Sequence, residues 1–176
     1  MAKSTWVIDP THSEIGFKVK HMMFTNVSGK FNTFTASIEN DDNQFETSTI
    51  KFEADINSID TNNTDRDNHL KSADFFEAEK FSKLSFTSSE IKKIGDNEFQ
   101  IVGELTLKDV TKTITLETEY SGLMLDPWGN TKAGLSISGK INRKEFGLTW
   151  NAALETGGVL VGEEVKLFVE AQFLRQ

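Results

Sequence analysis

Glu14-Ile15-Gly16-Phe17-Lys18-Val19-Lys20-His21 places Ile15, Phe17, Val19 and His21 on one face of an extended chain and Glu14, Lys18 and Lys20 on the other. A strand turns successive side chains to opposite faces, so this stretch reads as a strand with one buried and one solvated side. The alternation returns seven more times. Phe34, Ala36 and Ile38 carry it, then Ile50, Phe52, Ala54 and Ile56 against Thr49, Lys51, Glu53 and Asp55, then Leu84 and Phe86. Phe99, Ile101, Gly103, Leu105 and Leu107 follow, and Ile114, Leu116, Thr118 and Tyr120 after them. Ala133 to Ile141 and Val165 to Phe173 complete the set.

The connections between these runs are short. Gly95-Asp96-Asn97 suits a hairpin, Lys108-Asp109-Val110-Thr111 a tight turn, and Asp126-Pro127-Trp128-Gly129 carries the residues a type I turn favours. Consecutive strands are therefore expected to be neighbours. A meander of eight strands leaves two unpaired edges unless it closes on itself, so the expected fold is all-β: an eight-stranded antiparallel up-and-down barrel. Two segments break the rhythm. A short helical segment is expected near residues 64–78, with starts at Thr64 and Asp74, and an irregular or helical turn near 142–147, within a return running to Trp150. With two prolines and no low-complexity tract there is no linker to cut, and residues 1–176 are expected to form one domain.

The 176 residues are 37% hydrophobic and 26% charged, with a mean hydropathy of −0.38, the composition of a chain that folds in water. The net charge of −8, with no stretch that gathers the basic residues, argues against nucleic acid and anionic membrane surfaces as partners, and no stable membrane insertion is expected. The absence of cysteine excludes disulfides and thiolate chemistry. From Met1 to Trp6 no apolar run long enough for a signal-peptide core appears, so the chain as it reads is expected in the cytoplasm; a periplasmic location would require a signal already removed. A homodimer stays open.

An eight-stranded barrel is the size at which side chains either fill the interior or leave room for one small ligand. The inward set mixes Phe17, Phe34, Phe52, Phe86, Phe99 and Phe173 with small residues such as Ala36, Ala54, Gly103 and Ala171. Fourteen Phe against one Tyr offer apolar contact without hydroxyls that need partners. Two readings follow: a Phe-rich core packed solid, which would act through its acidic surface as a partner-binding protein, or a cavity that holds an apolar ligand. Strands of about 12 residues tilted by about 40° give a barrel on the order of 30 Å tall, which favours long ligands over compact ones.

Polar chemistry is sparse. His12, His21 and His69 show no HExxH or i, i+4 spacing, so no metal site is expected, and no cofactor beyond a bound ligand. Ser13, His12 and Asp9 are chain neighbours without a nucleophile elbow, and no catalytic set emerges; an enzyme working on a lipid-like substrate would have to rely on loop-end His or Arg residues. Arg66 and Arg143 lie in the two irregular segments. Each could meet an anionic or carbonyl head group at a cavity mouth, or tie a loop to the barrel through a carboxylate. Gly29 and Gly147 read as places where the backbone bends rather than ligand contacts.

The opening string Trp6-Val7-Ile8-Asp9-Pro10-Thr11-His12-Ser13-Glu14-Ile15-Gly16-Phe17 closely resembles the start of the YceI-like family. The resemblance continues through Arg66-Asp67-Asn68-His69-Leu70-Lys71-Ser72-Ala73-Asp74-Phe75-Phe76, Arg143-Lys144-Glu145-Phe146-Gly147 and Val161-Gly162-Glu163-Glu164-Val165, in order along almost the whole chain. It implies a lipocalin-type barrel that binds a long amphiphilic polyisoprenoid, a polyprenyl phosphate or isoprenoid quinone, for storage, protection or transport, and it implies no catalytic residues. On that resemblance the lining would come from Phe17 and Val19, from Phe34 and Ile38, and from Phe52 and Ile56. Phe76 and Phe86, Phe99, Ile101 and Leu105, Leu116, Leu135 and Ile137, and Leu167 and Val169 would complete it. Met22, Met23 and Phe24 would stand at the mouth. Arg66, Arg143 and His69 become the head-group candidates. Asp109 stands where the family commonly has Gly, a position a left-handed turn asks for and Asp tolerates.

Overall fold

The computed structural model describes residues 3–152, 154 and 160–176. Eleven strand segments follow one another: β1 (Lys3–Ile8), β2 (Glu14–His21), β3 (Thr25–Phe31), β4 (Phe34–Asp41), β5 (Thr49–Asp55), β6 (Ile59–Asp60), β7 (Lys83–Lys93), β8 (Glu98–Leu107), β9 (Val110–Leu125), β10 (Thr131–Asn142) and β11 (Val161–Arg175). The ladders make them eight. β1 and β2 both run along β11, β3 and β4 run along β2 and β1, and β6 and β5 run along β3 and β4, so each pair is one long strand broken in the middle. The remaining strands pair in chain order, and β11 closes the ring: an eight-stranded antiparallel up-and-down barrel. The eight alternating runs of the sequence are one piece of each strand.

Two of the three breaks, β3–β4 and β5–β6, hold each other, and the β1–β2 break is held by β11. Asp9 caps the single 3-10 turn between β1 and β2 by accepting from the Thr11 backbone N–H at 3.0 Å, and Asp55 caps the turn between β5 and β6 in the same way at Asn57. The Thr33 N–H, at the β3–β4 break, donates to Ser58 Oγ at 3.0 Å, and the Gln172 N–H of β11 donates to Ser13 Oγ at 3.1 Å. Backbone groups that lose the ladder at these breaks thus find side-chain partners. β3 escapes the alternation rule because its inward positions are Thr25, Val27, Gly29 and Phe31. Gly29 is there for a close approach: a Cβ would sit 2.3 Å from the Phe17 ring, so the pattern has a gap where the neighbouring strand's aromatic lies across it.

The breaks divide the barrel into two ends. At one, a plug closes the lumen: Phe45, on a 3-10 turn between β4 and β5, stacks on Tyr120 at 4.8 Å and meets Phe99 edge-on at 4.8 Å. Trp6 lies beside Ile38 in register and donates its indole N–H to Asn40 Oδ1 at 3.4 Å. The other end carries the irregular segments. α1 (Thr64–Lys71) is capped by Asn63, whose side chain accepts from the Arg66 N–H, and it stops at Ser72. The helical segment is therefore shorter than expected: Asn63 rather than Thr64 caps it, and from Ser72 the chain proceeds in turns, with Glu77 at φ 50, so the start expected at Asp74 does not form. The second irregular segment is a 3-10 turn, Arg143–Phe146, capped by Asn142 and ended by Gly147 at φ 79. The hairpin between β8 and β9 turns on Lys108 and Asp109, both left-handed (φ 50 and 63).

Candidate functional site

A cavity of about 330 Å³ occupies the lumen above the plug. That lies within the range of small-molecule sites, and the open half of the barrel is not filled by its own side chains. Its wall is aliphatic and aromatic and comes from all sides: Phe17 and Val19 of β2, Phe52 of β5, Phe86 of β7, then Ile101 and Leu105 of β8. Leu116, Leu135 and Ile137, Leu167 and Val169 continue it, and Phe76 enters from the turns after α1. Six of the residues expected at the lining or the mouth lie outside the cavity wall. Ile38 and Phe99 belong to the closed end, because the lumen there is plugged by Phe45, a loop residue that alternation cannot place. Ile56 is buried in the β5–β6 break, and Phe34 stacks on Phe52 at 6.4 Å beyond the cavity wall. Met22 and Phe24 stand in the turn outside the lumen, exposed to solvent.

The polar groups gather at the open end. Arg143 is 3% exposed, lines the cavity and donates only to backbone carbonyls: Leu148 at 2.6 Å, Gly162 at 2.8 Å, Trp150 at 2.9 Å and Val161 at 3.3 Å. It thus straps the return after the 3-10 turn to the start of β11, with carbonyls in the place of the expected carboxylate. A guanidinium has five N–H donors, so one remains. Burial lowers its pKa, and Glu163 opposes that shift from outside. Arg66, half-buried on α1, donates from Nε to Thr61 Oγ1 at 2.8 Å and from Nη2 to the Thr61 carbonyl at 2.6 Å. Asp67 fixes Thr61 in turn by accepting from its N–H at 2.9 Å. Among the described residues neither guanidinium has a carboxylate within 4 Å, and Arg66 Nη1 makes no hydrogen bond.

His69, one turn after Arg66, bonds Asp74 through Nε2 at 2.8 Å and packs edge-on against Trp150 at 4.8 Å and Phe75 at 5.1 Å. These three rings form the rim beside the arginines. Phe75, Trp150, Leu70 and Thr61 are site residues that the sequence reading did not select; the signal was large aromatics in segments without strand period, which must pack on something. His12 bonds Asp9 at the strand break, while His21, at the end of β2, lines the cavity as His69 does. Among the described residues no group of three His, Asp or Glu could hold a metal ion. Among the described residues, those lining the cavity include no carboxylate and no serine.

A closed up-and-down barrel with an apolar lumen and a cationic mouth defines a lipocalin-like fold. The comparisons give it a family: the model of the YceI-like domain matches residues 6–173, and the chain belongs to that family. A UPF0312 protein of Staphylococcus epidermidis is 43% identical over 166 residues, 94% of each chain, and one of Staphylococcus aureus is 39% identical over 171 residues, 97% of each. Among solved structures, the YCEI protein of Campylobacter jejuni superposes with a TM-score of 0.76 at 32% identity, over 96% of each chain. BcnA of Burkholderia cenocepacia reaches 0.81 at 21% identity, over 94% of this chain and 98% of its own. A domain from Saccharophagus degradans described as polyisoprenoid binding reaches 0.70 at 13% identity, over 97% and 98%. No helix among the described residues is long and apolar enough to cross a membrane.

Proposed function

We propose that the barrel holds the apolar chain of a long amphiphilic polyisoprenoid in its cavity, with the polar end, a phosphate or a quinone carbonyl, at Arg66 and Arg143. The observation that carries this reading is a pair of guanidinium groups that, among the described residues, have no carboxylate partner at the mouth of a mainly apolar cavity. Among the described residues each guanidinium keeps an N–H without an acceptor, and an anionic or carbonyl head group accepts from such a donor. Each methylene-sized group of the chain entering the lumen contributes about 0.8 kcal/mol before the cost of ordering the ligand. The polyisoprenoid-binding description of the Saccharophagus degradans domain, a structural relative, points the same way. A lumen wall without serine or carboxylate among the described residues favours binding over catalysis on the bound lipid.

The test is a titration of the purified protein with a polyprenyl phosphate and an isoprenoid quinone, alongside native mass spectrometry of whatever co-purifies. Saturable one-to-one binding of at least one is expected. Arg66→Gln should weaken the phosphate ligand by about tenfold to a hundredfold, the strength of a charge-assisted hydrogen bond, and the quinone by less. Protein that is lipid-free and takes up neither ligand overturns the reading.

A further inference from the structure

The β2–β3 hairpin projects beyond the mouth on Met22, Met23 and Phe24. Met22 and Met23 are both left-handed, at φ 52 and 64, the conformation a type I′ turn requires and that Asn and Gly usually supply. Phe24 is 86% exposed, and the two methionines are exposed beside it. Three large apolar side chains in water, on a backbone that disfavours them, stand next to His21, Val27 and Val161 of the cavity wall.

Behind this tip the sheet gathers what the sequence scatters. Lys140 of β10, Lys166 of β11 and Lys18 of β2 stand directly side by side in register on the outer face. Lys20 lies one outward position nearer the tip, and Lys30 of β3 faces Gly16. The expectation that no basic patch forms is corrected here, because a patch built across strands has no signature along one. The acids near it are Glu164, 3.9 Å from Lys140, Glu163, paired with Lys144 at 2.9 Å, and Asp60, opposite Lys30; Glu117, Glu170 and Glu14 share the outer face farther from the tip. Among the described residues Lys18, Lys20, Lys30 and Lys166 make no ion pair within 4 Å, and Lys18 Nζ rests 5.4 Å over the Phe168 ring. At about 3.3 Å per residue, Lys20 and Lys18 trail Met22 by about 7 and 13 Å, within reach of a head-group layer once their side chains extend toward it.

The other exposed apolar tip is the control that nature supplies. Between β9 and β10, Leu123, Met124, Leu125 and Trp128 are also exposed, but Lys132, paired with Met124 in register, is engaged by Asp9 at 3.8 Å and Asp126 at 3.9 Å. The lysine nearest that tip is thus held by two carboxylates, and the tip lies at the plugged end.

We propose that the Met22-Met23-Phe24 tip and the lysine row dock the barrel, mouth first, on an anionic lipid bilayer. The apolar tip enters the head-group boundary while the lysines meet anionic lipids, two signals acting together as in interfacial anchors. The charged outer wall keeps this a surface contact. Its use, transfer of a lipid between bilayer and lumen, rests on the reading of the cavity; the docking itself does not.

The experiment is co-sedimentation of the full chain with phosphatidylcholine vesicles, with and without phosphatidylglycerol. Binding is expected only with phosphatidylglycerol, and it should be lost at about 1 M salt, where the screening length falls to about 3 Å. Met22→Asn with Met23→Gly and Phe24→Ser should reduce it tenfold or more while preserving the hairpin, because Asn-Gly suits that turn. Lys18→Gln with Lys166→Gln should cost about fivefold for each lysine. Leu125→Ser with Trp128→Ser should leave it unchanged. Equal binding to both vesicle types, indifference to the Met22-Met23-Phe24 changes, or loss through the β9–β10 tip instead overturns the proposal. Failure of the cavity reading shows on a different measurement, the polyprenyl phosphate titration, and leaves the vesicle result standing.

Discussion

The two ends of the barrel are made from the same eight strands and solve opposite problems. At the plugged end one loop residue, Phe45, fills the lumen against Phe99 and Tyr120. At the open end three strands have just been broken, the connections are irregular, and the interior stays empty under a rim of Arg66, Arg143, His69 and Trp150. Stability is concentrated where side chains meet side chains, and binding capacity where they do not; the breaks are the border between the two regimes.

The largest test of that division compares truncations across it. Phe99→Ala should cost about 3 to 5 kcal/mol in urea unfolding, because it opens a hole in a packed plug. Leu167→Ala, in a wall that already borders empty space, should cost about 1 to 2 kcal/mol. Equal losses would erase the distinction. Arg143→Leu comes next, at about 3 kcal/mol, since it strands carbonyls in a buried site; Arg143→Lys should recover part of that and report whether the charge or the fork geometry matters. Narrowing the lumen with Ala171→Phe should reduce ligand affinity tenfold or more at a stability cost of about 1 kcal/mol, measured by titration beside thermal unfolding.

The smallest effect sits on the border itself. Hydrogen bonds from His12 and Thr11 hold the Asp9 carboxyl at about 2, below its ordinary 3.8. A depressed carboxyl stabilises the fold above its unfolded value and loses that contribution as the pH falls through 3.8 toward 2. Asp9→Asn should therefore cost about 1 kcal/mol at pH 7, after allowance for solvent screening, and nothing near pH 2, so the two unfolding curves converge on acidification.

What could be read from the residues follows the same border. Strands with one wet and one dry face announce themselves, so the barrel and its closure follow from alternation and short turns. β1, β3 and β6 did not, because broken halves are short and Gly29 interrupts the inward series to admit Phe17. The cavity wall was legible strand by strand, but where the cavity stops was not: Ile38 and Phe99 obey the same alternation as Ile101 and Leu105, and only the fold-back of Phe45 separates them. The lysine row was invisible for a related reason, since Lys140, Lys166 and Lys18 become neighbours only through register.

The seam that closes the barrel joins parts of the chain that are far apart: the Gln172 N–H reaches Ser13 Oγ across 159 residues, and Ile15 lies beside Val169. Pairings this distant are formed late and slowly. Until β11 docks, β2 and β10 are open edges and the lumen has no fourth wall. A ligand therefore cannot be captured by a half-built barrel, and the step that completes folding is also the step that creates the container.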